Sequence, residues 1–164
     1  MSHGLPVRPT TDRARESLFN ILETRYNLEG MMVLDLFSGT GSMAFEFASR
    51  GVADVTCVDA DNRCVKHLNA VVQKYDFENV SVVRADVLRF LQQPAVPVHI
   101  IFADPPYELP HYDRMKQLIF DNGWLLHDGL YIAEHHTKTR LPHDDDFEEE
   151  RIYGQSAFTF YKKR

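Results

Sequence analysis

The sequence predicts an α/β fold: a mostly parallel, seven-stranded sheet with helices on both faces and a C-terminal antiparallel hairpin. Three observations carry this reading. Between residues 32 and 134, five short apolar runs alternate with four segments of helical spacing, the pattern of repeated βαβ units. The run 98–103 is apolar throughout except for His99, as expected of a parallel strand covered on both faces. After residue 150 the pattern changes, and the runs 150–153 and 157–161 flank Gly154-Gln155-Ser156, which reads as a hairpin.

Each element has its own warrant. In front of the first strand, Thr10-Thr11-Asp12 can cap a helix carrying Leu18, Phe19, Ile21 and Leu22. Residues 32–37 form the first strand and end in a glycine turn. The segment 42–50 carries Met43, Phe45, Phe47 and Ala48 and is closed by Gly51. Residues 53–58 are the second strand, and Val65, Leu68, Val72 and Tyr75 give 62–75 helical spacing. A third strand over 80–84 and a short helix over 87–92 precede the fourth strand. Tyr112, Met115, Leu118 and Ile119 mark another helix, and 129–134 is the fifth strand. The whole of 1–164 reads as one domain, without repeat or linker.

The composition is that of an ordinary soluble globular protein, 44% hydrophobic and 26% charged. No apolar run approaches the ~20 residues that span a bilayer. The opening Met1-Ser2-His3-Gly4-Leu5-Pro6 has no basic region followed by an apolar stretch, so no signal peptide is expected. Two cysteines, Cys57 and Cys64, are too few for a disulfide scaffold and suit a reducing cytoplasm. Neither stands at ligand spacing from a histidine, and no metal is expected. The net charge of −6 arises locally from Asp144, Asp145, Asp146, Glu148, Glu149 and Glu150. This run reads as a solvated loop, with a basic protein partner as the sharper alternative. The rest of the chain is neutral, with basic residues near both ends (Arg8, Arg13, Arg15 and Arg25; Lys162, Lys163 and Arg164). That distribution allows contact with RNA without demanding it.

The chemistry gathers at strand ends. Asp104-Pro105-Pro106-Tyr107 follows the fourth strand directly. Its prolines fix φ and remove two backbone donors. The Pro105 carbonyl and the Asp104 carboxylate are then two acceptors beside the flat face of Tyr107, an arrangement suited to an exocyclic amino group on a planar base. Asp35-Leu36-Phe37-Ser38-Gly39-Thr40-Gly41 follows the first strand, where open α/β sheets bind ligands. Gly39 and Gly41 let backbone approach a ligand. The turn lacks the third glycine of a dinucleotide fingerprint, with Phe45 and Glu46 in its place, and lacks the Gly-Lys-Ser/Thr of a P-loop. An acid at Asp35 disfavours a pyrophosphate and favours a cationic ligand. Asp59, 18 residues after Gly41, stands where an acid meets ribose hydroxyls, with Asp61 as a competing candidate or a plain helix cap. Asp86 can accept from an adenine amino group or cap the short helix. Four acids at four strand ends make a site of what would be weak signals singly.

These residues resemble the class I S-adenosylmethionine-dependent methyltransferases, in their amino-methylating branch. Three segments narrow the resemblance to the RsmD family: Arg8-Pro9-Thr10-Thr11-Asp12-Arg13-Ala14-Arg15-Glu16-Ser17-Leu18-Phe19-Asn20, the turn from Asp35 to Gly41, and Phe102-Ala103-Asp104-Pro105-Pro106-Tyr107. It covers about residues 8–161. It implies methyl transfer from S-adenosylmethionine, leaving S-adenosylhomocysteine, to the exocyclic N2 of a guanine in 16S ribosomal RNA. The substrate context would be a small ribosomal subunit or an assembly intermediate, and the enzyme a cytoplasmic monomer.

On this resemblance Asp104, Pro105, Pro106 and Tyr107 are catalytic. Thr10, Asp35, Phe37, Ser38, Gly39, Gly41, Asp59, Asp86 and Asp104 border the cofactor. Arg13, Arg15 and Tyr107 face the RNA, the arginines having a solvated helix face as their plainer reading. His135-His136 reads as surface loop or substrate lining, His99 as a strand residue satisfied locally, and Trp124 as core. Family members usually begin with a basic β-hairpin ahead of the Arg-Pro-Thr segment; here seven residues without Arg or Lys precede Arg8. Three other functions compete. An adenine-N6 methyltransferase would share Asp104 to Tyr107, a nicotinamide oxidoreductase is opposed by the missing glycine, and a non-catalytic cofactor-binding module would serve ribosome assembly.

Overall fold

The structure, a computed structural model, describes residues 11–106 and 111–164. The described residues form five helices and seven strands in one sheet of order β3-β2-β1-β4-β5-β7-β6. In chain order these are α1 (Asp12–Arg25), β1 (Met32–Leu36), α2 (Ser42–Ser49), β2 (Asp54–Asp59), α3 (Asn62–Lys74) and β3 (Val80–Arg84). They are followed by α4 (Val87–Leu91), β4 (Val98–Ala103), α5 (Tyr112–Asp121), β5 (Leu125–His136), β6 (Phe147–Tyr153) and β7 (Ser156–Lys162). Strands β1 to β5 run parallel, and β7 lies antiparallel between β5 and β6. The strand order reverses at β1/β4, the switch point where open α/β sheets leave a crevice.

Strand alternation sorts the core into two layers. Val33, Val55, Cys57, Phe102 and Ile132 pack with Leu18, Phe19, Phe47 and Leu68 of α1, α2 and α3. Leu34, Leu36, Ile101, Ala103 and Tyr131 pack with Leu91, Met115 and Ile119 of α4 and α5. Thr11 is the N-cap of α1, its hydroxyl accepting from the Ala14 N–H at 3.2 Å. Cys57 and Cys64 are buried free thiols. His99 accepts the Met32 N–H through Nδ1 at 2.9 Å, the local satisfaction expected of it. No helix among the described residues is long and apolar enough to cross a membrane.

Three expectations need correction. Strand β5 begins at Leu125, not at residue 129, because Asp128-Gly129 is an irregularity inside the strand and no turn. Asp128 takes φ +63° there, and a Cβ on Gly129 would lie 2.7 Å from the Leu126 carbonyl oxygen. His135-His136 is strand and not loop; His135 is buried, with Nε2 2.7 Å from the Thr159 hydroxyl. The acidic run is only half loop. Glu148, Glu149 and Glu150 belong to β6, and their charges blunt the open edge of the sheet. The run is also partly neutralised within the chain: Lys116 pairs with Asp144 and Asp146 at 3.0 and 2.9 Å, Arg25 and Arg151 with Glu149, and Arg164 with Glu148.

Trp124 ties α4, α5 and β5 together. It is 4% exposed, its ring centroid is 5.0 Å from that of Phe90, and its indole N–H donates to the Leu91 carbonyl at 2.8 Å. Truncating a buried aromatic of this size costs about 3–5 kcal/mol through lost contacts and the cavity left behind. Trp124→Ala should therefore lower the denaturant midpoint strongly with little change in slope, as measured by chemical unfolding.

Candidate active site

The carboxyl ends of the parallel strands bring most of the anticipated residues to one edge. Asp35 is the penultimate residue of β1, 2% exposed, on the face occupied by α1, α2 and α3. Asp59 ends β2 and is also buried. Its two oxygens hold the turns around it. Oδ2 accepts the Gly39 N–H and Oδ1 the Asp61 N–H, each at 2.9 Å. Asp61 caps α3 by accepting the Arg63 N–H at 2.8 Å, so of the two acids Asp59 is the one turned to the crevice edge. Asp86 follows β3, is exposed, and caps α4 by accepting the Arg89 N–H at 3.0 Å.

The turn between β1 and α2 is tightly wound. Ser38 donates its hydroxyl to the Asp35 carbonyl at 2.7 Å and its N–H to the Val58 carbonyl at 3.2 Å. The Gly41 N–H returns to the Ser38 carbonyl at 2.8 Å. Phe37 sits at φ +59°, a conformation that costs a non-glycine residue of order 1–3 kcal/mol and that concentrates at binding sites. Gly41 needs its φ of +83°, and a Cβ there would come within 2.4 Å of the Phe45 ring and 2.6 Å of Leu68. Its smallness thus serves internal packing: Phe45, in place of a third fingerprint glycine, fills the space Gly41 leaves.

On the other side of the switch point, the Asp104 N–H reaches the Leu36 carbonyl at 3.5 Å, extending the β1–β4 ladder by one residue. Asp104 is half-buried, Pro105 buried and Pro106 exposed. Tyr107 and Thr10 lie outside the described residues. Arg13 is exposed on the first turn of α1 and makes no ion pair among the described residues. Arg15 faces Asp12 at 3.0 Å and Glu46 at 3.6 Å, linking α1 to α2.

Sequence reasoning passed over Glu134. It is 1% exposed near the end of β5, one residue beyond the Ala103–Ala133 register pair and therefore abreast of Asp104. The signal was available, since Glu134 is another acid at the end of a parallel strand. Its backbone carbonyl accepts the Tyr112 hydroxyl at 3.1 Å. The described residues hold no group of His, Cys, Asp and Glu that could bind a metal.

Burial dominates the electrostatics. It pushes the Asp35 carboxyl up from the ordinary carboxylate range to about 7, against the lowering effect of the nearby Ser38 hydroxyl, and the charges of Asp59 and Glu134 push it up as well. Asp35 Oδ2 is buried without a hydrogen-bond partner. Asp35 is thus an acid short of one donor, able to hold a proton or a cation.

A carboxyl whose pKa rises on folding stabilises the native state fully below the unfolded value, near pH 4. It loses that contribution as pH climbs to about 7. Asp35→Asn should remove this part of the decline in thermal stability between pH 4 and pH 7, compared with the parent chain in the same buffers. An unchanged pH profile would show that Asp35 titrates normally.

Known proteins match this architecture closely. The family model described as Conserved hypothetical protein 95 matches residues 1–162. Ribosomal RNA small subunit methyltransferase D of Escherichia coli is 32% identical over 160 residues, 96% of this chain and 80% of that protein. The Haemophilus influenzae protein of the same name is 34% identical over 137 residues, 81% of this chain and 69% of its own length. The solved structure of yhhF from Escherichia coli superposes with a TM-score of 0.85 at 32% identity, covering 97% of this chain and 89% of that one. A more distant 16S rRNA N2 G1207 methyltransferase from Thermus thermophilus, solved with AdoMet and guanosine, shares the fold. Its TM-score is 0.76 at 19% identity, over 98% of this chain and 46% of that one. Matched along almost its whole length, the chain belongs to the Conserved hypothetical protein 95 family, the RsmD family its three sequence motifs resemble.

Proposed function

We propose that this protein transfers the methyl group of S-adenosylmethionine to the exocyclic N2 of a guanine in small-subunit ribosomal RNA. The observation that carries this reading is the pairing of two unlike half-sites across the β1/β4 switch point. One is a buried acid with an unpartnered oxygen, Asp35, beside a turn clamped by Asp59. The other is the acceptor pair of Asp104 and the Pro105 carbonyl on the adjacent strand. Relatives named ribosomal RNA small subunit methyltransferase D support the choice of substrate. We infer from such a substrate that the protein works in the cytoplasm.

The donor set fits the cofactor. Asp35 can accept from a ligand ammonium group through the oxygen that lacks a partner. Asp59 keeps lone pairs for ribose hydroxyls while holding the Gly39 turn. Asp86 lies at the β3 end, where it can receive an adenine amino group. When bound, S-adenosylmethionine supplies an electrophilic methyl group on a sulfonium.

The guanine amino group is a poor nucleophile because its lone pair is delocalised into the ring. Asp104 and the Pro105 carbonyl accept its two N–H bonds, which reduces that delocalisation and aims the lone pair. Asp104 is also placed to receive the proton that the nitrogen loses. Tyr107 stacks on the base, which leaves its own helix to reach the site; such stacking contributes roughly 1–3 kcal/mol per base. Alignment and fixed dipoles then supply most of the acceleration.

Asp104→Ala should reduce turnover by about a hundredfold or more while S-adenosylmethionine still binds by calorimetry, since one fixed acceptor of this kind is worth roughly that much. Near-full activity in this variant overturns the assignment. The choice of base is tested by offering labelled methyl donor with undermodified small subunits and mapping the product nucleoside by mass spectrometry. Label on guanine N2 is expected; label on adenine, or none on RNA, defeats it.

A further inference from the structure

A chain of net charge −6 must place cations locally if it is to hold RNA, because at about 0.1 M salt charges more than ~10 Å away are largely screened. The cations of the C-terminal region are mostly engaged elsewhere. Arg25, Arg151, Arg164 and Lys116 pair with the acidic run, and Lys163 donates to the Phe120 carbonyl at 3.3 Å. The unpaired cations lie at other places, and two of them share one short loop.

That loop, residues 137–140, leaves the carboxyl end of β5, next to the β4 end that carries Asp104. It is pinned at both ends. The Thr137 N–H donates to the Gln155 carbonyl in the β6–β7 turn at 2.9 Å. The Lys138 N–H donates to His136 Nδ1 at 3.0 Å, and the Thr139 N–H to the His136 carbonyl at 2.9 Å. At the far end Leu141 is buried and the Pro142 carbonyl accepts the Tyr161 hydroxyl at 2.7 Å. Between these anchors Lys138 and Arg140 are exposed and make no ion pair among the described residues. The next acid after the loop, Asp144, is held by Lys116 at 3.0 Å.

We propose that Lys138 and Arg140 are the phosphate contacts that seat the RNA strand flanking the target base. The proposal rests on the methyl-transfer reading above and adds a phosphate contact on the β5 side to the Arg13 and Arg15 that the family resemblance turns to the RNA. The cofactor residues occupy the ends of β1, β2 and β3, so the strand carrying a base to Asp104 must approach over β4 and β5. A pinned turn with two free cations on that side is a prepared backbone contact, with little ordering entropy to lose on binding. Contacts of this kind fix position and affinity without reading sequence.

The test compares two charge-matched double variants on an unmodified 16S rRNA transcript, by filter binding across a salt series. K138A/R140A removes the loop cations. K74A/K162A removes two exposed or partly exposed cations at the opposite end of the sheet. The loop variant should bind roughly 10- to 100-fold more weakly, with the log–log salt slope smaller by about 1 to 2, as expected when two phosphate contacts are lost. Its S-adenosylmethionine affinity and melting temperature should match the parent, and the control should bind RNA like the parent. Equal losses in both variants, no loss in either, or a parent protein that does not bind the transcript at low salt would overturn the proposal. Because binding is read without turnover, a parent that binds through the loop but leaves guanine N2 unmethylated defeats the catalytic reading alone.

Discussion

Asp59 accepts one backbone N–H with each carboxylate oxygen, from Gly39 on β1's turn and from Asp61 on its own. The rest of the carboxyl edge depends on that clamp. Hydrogen bonds to an ionised acceptor are shorter and roughly twice as strong as neutral ones, and these two fix the separation between the β1–α2 turn and the start of α3. With the turn held, Phe37 stays at its positive φ, Ser38 closes back on the Asp35 carbonyl, and Gly41 is delivered to the packed space between Phe45 and Leu68. The first half of the site is therefore a product of one side chain and one glycine contact, both buried inside the protein.

Charge is arranged on the same principle of local satisfaction. The overall acidity comes from a run that the fold spreads along an edge strand and the loop before it, where Lys116, Arg25, Arg151 and Arg164 meet it. Exposed pairs of this kind contribute little stability individually, about 0–1 kcal/mol. Their larger effect here is to keep a strand edge from pairing with another chain and to confine the negative field to the side of the sheet away from β1, β2 and β3.

The architecture was legible because periodicity and strand-end chemistry are local. The alternation of runs gave all seven strands, and the acids at the ends of β1, β2, β3 and β4 named the edge. What was missed depended on tertiary context. The apolar run of the fifth strand starts at residue 129 in sequence, yet hydrogen bonds from the Asp128 N–H to the Lys163 carbonyl and from the Lys163 N–H to the Gly129 carbonyl carry β5 back through Asp128-Gly129 as an irregularity. Glu148 and Glu149 read as loop because acids are poor strand formers, and only the outer position of β6, which extends the expected strand back from Glu150, makes them acceptable there. Gly41 has a packing role that sequence does not display, since a Cβ there would collide with Phe45 and Leu68. Glu134 followed the same strand-end rule as the others and gained significance only when β5 came to lie beside β4.

Asp35, Asp59 and Glu134 fall on one face of the sheet at one end, and Asp104 continues that end on the neighbouring strand. Gathering carboxylates where water is scarce opposes folding, and the raised Asp35 pKa is the visible sign of that opposition. A face built this way gains most from a ligand that brings donors and positive charge, because a donor there satisfies the Asp35 oxygen that folding left without a partner. Ligand binding to the native state alone adds stability in proportion to the logarithm of ligand concentration over Kd. Occupation of the site therefore stabilises the native fold. That is the expected character of a surface shaped for a cationic cofactor and an amino-bearing base, in contrast to one shaped for a phosphate.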